Sequence, residues 1–154
     1  MWLTDTETRF SLNILLVEDD PMDVQLARIG LKNDNFLPDI HVVEDGEEAM
    51  QFLRKEGQFQ RVSTPDIVLL DLNLPGMNGQ EVLLEIKSDP SLRDIPVVVL
   101  TTSDAPPDIA KAYDGFANAY MTKPVDFSQF HRVVEDLSSE LFTVIRLPQV
   151  STKL

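Results

Sequence analysis

Cysteine is missing from the 154-residue chain. A disulfide scaffold, a Cys-ligated zinc or iron–sulfur site and thiol catalysis are therefore excluded. No apolar run approaches the roughly 18 residues of a membrane span. Met1 to Leu12 carries Asp5, Glu7 and Arg9 among its apolar residues, so no secretory leader is expected either. The chain is expected to be cytoplasmic, without a membrane partner. Positive charge is scarce: 13 basic against 26 acidic side chains leave a net charge of −13. No cluster of basic residues relieves it, which argues against direct nucleic-acid binding. The acids are spread along the chain and do not form a separate tail. What is present, 43% hydrophobic and 25% charged residues, suits one soluble domain with a core that needs no staples.

Five short apolar runs alternate with segments of helical periodicity, the pattern of an α/β fold with a parallel sheet. The runs are Asn13 to Val17, Ile40 to Val43, Asp66 to Asp71, Ile95 to Leu100 and Ala119 to Thr122. Ile67 to Leu70 and Val97 to Leu100 do not alternate with polar residues, as expected of strands buried on both faces. Asp20-Pro21-Met22-Asp23 offers a cap, a proline at the first helical position and an acid in the first turn; Val24, Ala27 and Leu31 follow at helical spacing. A second helix is expected from Glu47 to Arg54 with Ala49, Met50 and Leu53 inward. Asn78 can cap a third, with Val82, Leu83 and Ile86 inward. A short fourth follows Pro106-Pro107 and contains Ile109, Ala110 and Tyr113. The fifth begins at Asp126 with Gln129 in capping-box position and carries Phe127, Phe130, Val134, Leu137 and Leu141 on one face.

In a doubly wound sheet, ligands bind beyond the carboxyl ends of the strands. Those ends carry Glu18-Asp19, Asp71, Thr101-Thr102 and Lys123-Pro124. Singly, each has an ordinary reading. Asp20 is a helix cap, Asp71 is either a turn former or a site residue, Thr101 or Thr102 can cap the fourth helix, and a lone lysine is usually a surface residue. Together they mean more. Three carboxylates at one edge either raise their pKa values or hold a cation, and oxygen ligands in an open site favour Mg²⁺. An ammonium and a hydroxyl beside them complete a clamp for a phosphoryl group. The reaction class that uses these parts is phosphoryl transfer to a carboxylate, with Asp71 as nucleophile.

Four segments carry a family resemblance: Leu15 to Pro21, Leu69 to Gly79, Pro96 to Thr102 and Tyr120 to Pro124. Their motifs, Val17-Glu18-Asp19-Asp20-Pro21, Leu70-Asp71-Leu72-Asn73-Leu74-Pro75-Gly76-Met77-Asn78-Gly79, Val99-Leu100-Thr101-Thr102 and Met121-Thr122-Lys123-Pro124, resemble those of the receiver domain of two-component response regulators. The resemblance covers roughly residues 12 to 141. It implies a flavodoxin-like receiver fold, a doubly wound five-stranded parallel sheet in strand order 2-1-3-4-5. Carried over by position, it makes Asp71 the phosphoacceptor, Asp19 a direct Mg²⁺ ligand, Glu18 a ligand through water and the backbone carbonyl of Asn73 a further ligand. It makes Lys123 the phosphate contact, with a cis Lys123-Pro124 bond. Thr101 becomes the switch hydroxyl, Tyr120 the switch aromatic and Thr102 a residue controlling access to the phosphoryl group. His41 and His131 receive no role.

The expected organisation is an N-terminal arm (1–12), a receiver domain (13–141) and a C-terminal extension (142–154) with no separate output domain. Two features depart from a minimal receiver. Lys55 to Pro65 is a long connection containing Phe59, either a solvated loop or an interaction element. Phe142 to Pro148 adds apolar residues beyond the stripe that the fifth helix needs, and either folds back or forms a contact. Both are similar to features of small response regulators paired with bacterial phytochrome histidine kinases. That similarity implies a sensor histidine kinase partner of phytochrome type and a homodimer through the fourth helix, fifth strand, fifth helix and extension. No enzymatic turnover beyond self-phosphorylation and autodephosphorylation is expected. Two other classes compete: a phosphorylation-independent interaction scaffold and a haloacid-dehalogenase-type phosphatase. The second would need an acid where Asn73 stands.

Overall fold

The computed structural model describes residues 10–32, 36–102, 117, 119–123 and 126–132. The strands are β1 (Phe10–Val17), β2 (Phe36–Val43), β3 (Ile67–Asp71), β4 (Val97–Thr101) and β5 (Ala119–Thr122). Between them run α1 (Pro21–Gly30), α2 (Gly46–Arg54) and α3 (Gly79–Ser88), and residues 127–132 are again helical. All pairings are parallel, and the sheet order is β2-β1-β3-β4-β5, as the motifs imply.

The uninterrupted apolar runs follow from helices on both faces of the sheet. Leu15 and Val17, Val68 and Leu70, and Val97 and Val99 pack with Ala49, Leu53, Val82 and Ile86 of α2 and α3. The alternate residues Ile14 and Leu16, Ile67 and Leu69, and Val98 and Leu100 face Ala27, Leu31 and Phe130. A strand period of two assigns neighbouring residues to opposite layers, so both sets of positions are apolar until the carboxyl ends, where Asp71 and Thr101 stand.

Each described α-helix starts at a side-chain cap. Asp20 accepts from the Met22 N–H (2.9 Å), Asp45 from Glu48 (2.8 Å), Asn78 from Glu81 (3.0 Å) and Asp126 from Ser128 (3.0 Å). These bonds satisfy amides that have no partner within the helix. The expected fourth helix, the fifth beyond residue 132, Pro124 with its expected cis bond, and the extension 142–154 lie outside the described residues.

Four strand boundaries differ from expectation, β3 only in starting one residue later, at Ile67. β1 begins at Phe10 and takes Ser11 and the fully buried Leu12 out of the expected arm. β2 is eight residues long because it pairs with β1 from Phe10↔Phe36 to Val17↔Val43. Pro38 and Asp39, outside the expected Ile40 to Val43 run, sit in this edge strand, where a missing N–H can face outward. β4 runs from Val97 to Thr101, placing Thr101 inside the strand. The long connection holds a 3₁₀ turn (Gly57–Phe59) and is exposed over most of its length, but its Phe59 ring lies 5.2 Å from that of Phe52 and Val62 packs on the core.

Candidate functional site

The reversal of strand order at β1 and β3 brings their carboxyl ends side by side. Glu18 follows β1 directly, held by its N–H to the Val43 carbonyl (2.9 Å), and Asp71 is the last residue of β3. Both are buried, at 2% and 3% exposure, whereas Asp19 faces solvent. One carboxylate oxygen from each of Glu18, Asp19 and Asp71 lies within 4.8 Å of the others. An oxygen-only set of this size, two members buried and one open to solvent, fits a divalent cation of the Mg²⁺ type.

Lys123, one residue beyond β5, reaches into the cluster. Its backbone N–H donates to the Thr101 carbonyl (2.7 Å), and its ammonium donates to Glu18 Oε1 (2.6 Å), Asp71 Oδ2 (2.9 Å) and Asp23 Oδ2 (3.0 Å). The lysine side chain is only 12% exposed. A cavity of about 300 Å³ opens beside it, with Leu16, Leu69, Leu100 and Phe130 among its walls. Burial pushes the Glu18 carboxyl up to about 7, outweighing the opposing hydrogen bonds from Lys123 and the Asp20 amide, while the nearby Asp71 charge adds to the rise. For Lys123, burial disfavours the charged form, but three accepting carboxylates together outweigh it and raise its pKa. The lysine therefore stays an ammonium at any physiological pH.

Around Asp71 the loop is tightly built. Asp71 Oδ1 accepts the Asn73 N–H (2.9 Å), the Leu72 N–H donates to the Leu100 carbonyl (3.0 Å), and that of Gly79 to the Leu72 carbonyl (3.2 Å). A Cβ on Gly79 would lie 2.5 Å from the Asp71 carbonyl oxygen and from Leu72 Cα. Only glycine lets α3 begin this close to the acidic strand end. On the far side, Glu47 of α2 accepts the Met77 N–H (3.0 Å) and ties down the loop.

The structure thus gathers Glu18, Asp19, Asp71 and Lys123. Asn73 and Thr102 form the rim, the Asn73 amide donating to the Thr102 hydroxyl (3.4 Å). Asn73 offers no second carboxylate of the kind the phosphatase class requires. Thr101 is 2% exposed, and Tyr120, paired in register with Val99, packs on the α2–α3 side of the sheet. By strand alternation Thr101 faces the same side. Asp20 stays with its helix. Two contributors escaped the sequence reading. Asp23 was legible only as a first-turn acid, although its place one turn beyond the acidic run was the available signal. Glu47 had no signal at all.

Comparison with known proteins agrees with this geometry. The family model of the response regulator receiver domain matches residues 14–135. The response regulator Rcp1 of Synechocystis sp. is 39% identical over 135 residues, covering 88% of this chain and 92% of Rcp1. The crystal structure of the phosphorylated cyanobacterial phytochrome response regulator RcpA superposes with a TM-score of 0.73 at 44% identity, covering 87% of this chain and 96% of RcpA. The Mn²⁺-bound form of Rcp1 gives 0.71 at 40% identity, covering 83% and 92%. With the strand order, the acidic strand ends and the family model in agreement over most of its length, this chain belongs to the response regulator receiver domain family.

Proposed function

We propose that this receiver takes a phosphoryl group from a phosphohistidine of a phytochrome-type sensor kinase onto Asp71 and passes the signal on by protein contact. The observation that carries the reading is the buried Asp71 carboxylate at the end of β3, held by Lys123 at 2.9 Å beside Glu18 and Asp19. In the transfer, an Asp71 oxygen forms a bond to phosphorus as the phosphorus–nitrogen bond breaks. The electron pair leaves with the imidazole nitrogen. Lys123 supplies positive charge to the phosphoryl oxygens, and Asn73 orients the nucleophile through its N–H to Oδ1. Glu18, Asp19, Asp71 and the Asn73 carbonyl would hold Mg²⁺, which supplies charge compensation for the incoming phosphoryl group. Thr102 and Asn73 at the rim govern access of water or a partner to it.

The partner type is supported by the likeness to RcpA and Rcp1. Thr101 and Tyr120, on one face of neighbouring strands, are the switch pair: new charge at Asp71 draws the hydroxyl and makes room for the ring. The output is a homodimer through the face of the fourth helix, β5 and the fifth helix together with the C-terminal extension. The working place is the cytoplasm; among the described residues no helix is long and apolar enough to cross a membrane.

Incubation with a small phosphodonor and Mg²⁺, followed by intact mass and peptide mapping, tests the reading. One base-labile phosphoryl group is expected on Asp71 and none in Asp71→Asn. A label elsewhere, or one undiminished in that variant, overturns it.

A further inference from the structure

A lysine ammonium has three N–H donors, and in Lys123 each has a carboxylate: Glu18, Asp71 and Asp23. The three acceptors are not equivalent. Glu18 and Asp71 belong, with Asp19, to the group that can hold a divalent ion; Asp23 does not. A cation on the cluster draws on the oxygens of Glu18 and Asp71, and a phosphoryl group bonded to Asp71 takes one of its oxygens for the new bond. The lone pairs of Asp23 are required by neither event. Asp23 also sits on a fixed element, the first turn of α1, which Asp20 caps and whose N-terminus favours a negative side chain. Its own side chain is 34% exposed, so it approaches the ammonium from the solvent side of a lysine that is otherwise enclosed.

We propose that Asp23 is a positioning residue for Lys123: it keeps one N–H of the ammonium throughout, so that the other two can leave Glu18 and Asp71 and turn to the phosphoryl oxygens. The inference rests on the reading of Lys123 as the phosphoryl contact. Without Asp23, the ammonium settles on the carboxylates that the metal must share, or loses its third partner to water once they are taken. Transfer slows because the lysine is misplaced, while capture of the donor is little affected.

The test uses the full chain with Mg²⁺ and acetyl phosphate, comparing the parent protein, Asp23→Ala, Asp23→Asn, Lys123→Ala and the Asp23→Ala, Lys123→Ala double variant over a range of donor concentrations. Asp23→Ala is expected to lower the limiting rate roughly fivefold, the scale of one partly exposed charge-assisted bond, with little change in half-saturating donor. Asp23→Asn, which keeps an acceptor oxygen but no charge, should fall between. Asp23→Ala should add no further loss once Lys123 is gone. An unchanged rate, or the same loss in the Lys123→Ala background, overturns the proposal, since a general field effect would persist there.

A second measurement does not depend on transfer. The ¹⁵Nζ signal of Lys123 in the Mg²⁺-loaded protein, assigned by its loss in Lys123→Ala, should show slow proton exchange in the parent and fast exchange in Asp23→Ala, with α1 amide signals retained. Fast exchange in the parent, or no difference between the two, also overturns it. If the parent protein takes up no phosphoryl group, the phosphoacceptor reading fails there, and the ammonium signal still decides whether Asp23 positions the lysine.

Discussion

Glu18 shows how burial and function pull against each other in one side chain. Its carboxyl is lifted from 4.5 to about 7 chiefly by desolvation. Because the folded-state value lies above the unfolded one, its contribution to stability is complete below about pH 4.5 and is lost as pH rises through about 7. Without divalent metal, urea unfolding should therefore show a decline between about pH 5 and pH 8 that is flattened in Glu18→Gln; an equal slope in both proteins would contradict the assignment. Mg²⁺ competes with the proton for the same oxygens, so the metal should raise the thermal midpoint more at about pH 8 than at about pH 6. The neighbouring acids differ in kind. Asp19 belongs to the carboxylate cluster, whereas Asp20 accepts the Met22 N–H as a helix cap. Asp19→Asn should weaken Mg²⁺ binding on the order of tenfold or more. Asp20→Asn should leave it near the parent value and change stability by less than about 0.5 kcal/mol, since both residues cap well. Isothermal titration and urea unfolding of the two variants distinguish these outcomes.

Among elements, the connection between β3 and α3 decides how accurately the acidic strand ends are held. It is pinned at three points: the Asn73 N–H to Asp71, the Gly79 N–H to Leu72, and the Met77 N–H to Glu47 of α2. Gly79→Ala puts a methyl group against the backbone of Asp71 and Leu72, neither of which is the end of a flexible side chain. The expected cost is about 1–3 kcal/mol of stability, together with weakened Mg²⁺ binding as the Asp71 backbone shifts. Gly57→Ala is the control. Its φ of +58° strains the substituted residue, but nothing lies within 4 Å of the new Cβ, so stability should drop by about 1 kcal/mol and metal binding should not move. Equal metal affinity in both variants would show that the close approach of α3 does not set the site. The start of β4 is held in a similar way, by Lys87 of α3 donating to the carbonyls of Arg93 (3.0 Å) and Ile95 (2.8 Å).

For the whole molecule, two apolar layers sandwich the sheet and leave the chemistry to one edge. The state of that edge must reach other molecules through a surface, and the proposed one includes the extension with Phe142, Val144, Ile145 and Leu147. Together they would form an apolar patch of the kind that marks interaction sites. Light scattering should find the intact chain dimeric at tens of micromolar and a truncation after Leu141 monomeric; the same state in both would show that the extension does not drive assembly.

Much of this architecture is legible in the sequence. Strand runs without polar alternation announce a sheet covered on both faces, and Asp20, Asn78 and Asp126 mark helix starts, because periodicity and capping are local properties of the chain. The acidic strand ends were legible for a related reason: in this topology, position at the end of a strand implies position at the site. Other features depend on neighbours far away in sequence. β2 extends through Pro38 because β1 pairs with it, and Phe59 of the Lys55 to Pro65 connection packs against the Phe52 ring. Asp23 meets Lys123 across 100 residues, and Glu47 meets Met77 across 30. Fold class, helix caps and the residues delivered to the strand ends follow from local pattern along the chain. Which carboxylates share the ammonium and what holds the loop depend on packing between distant segments, because those contacts are set by how α1 and α2 lie against the sheet.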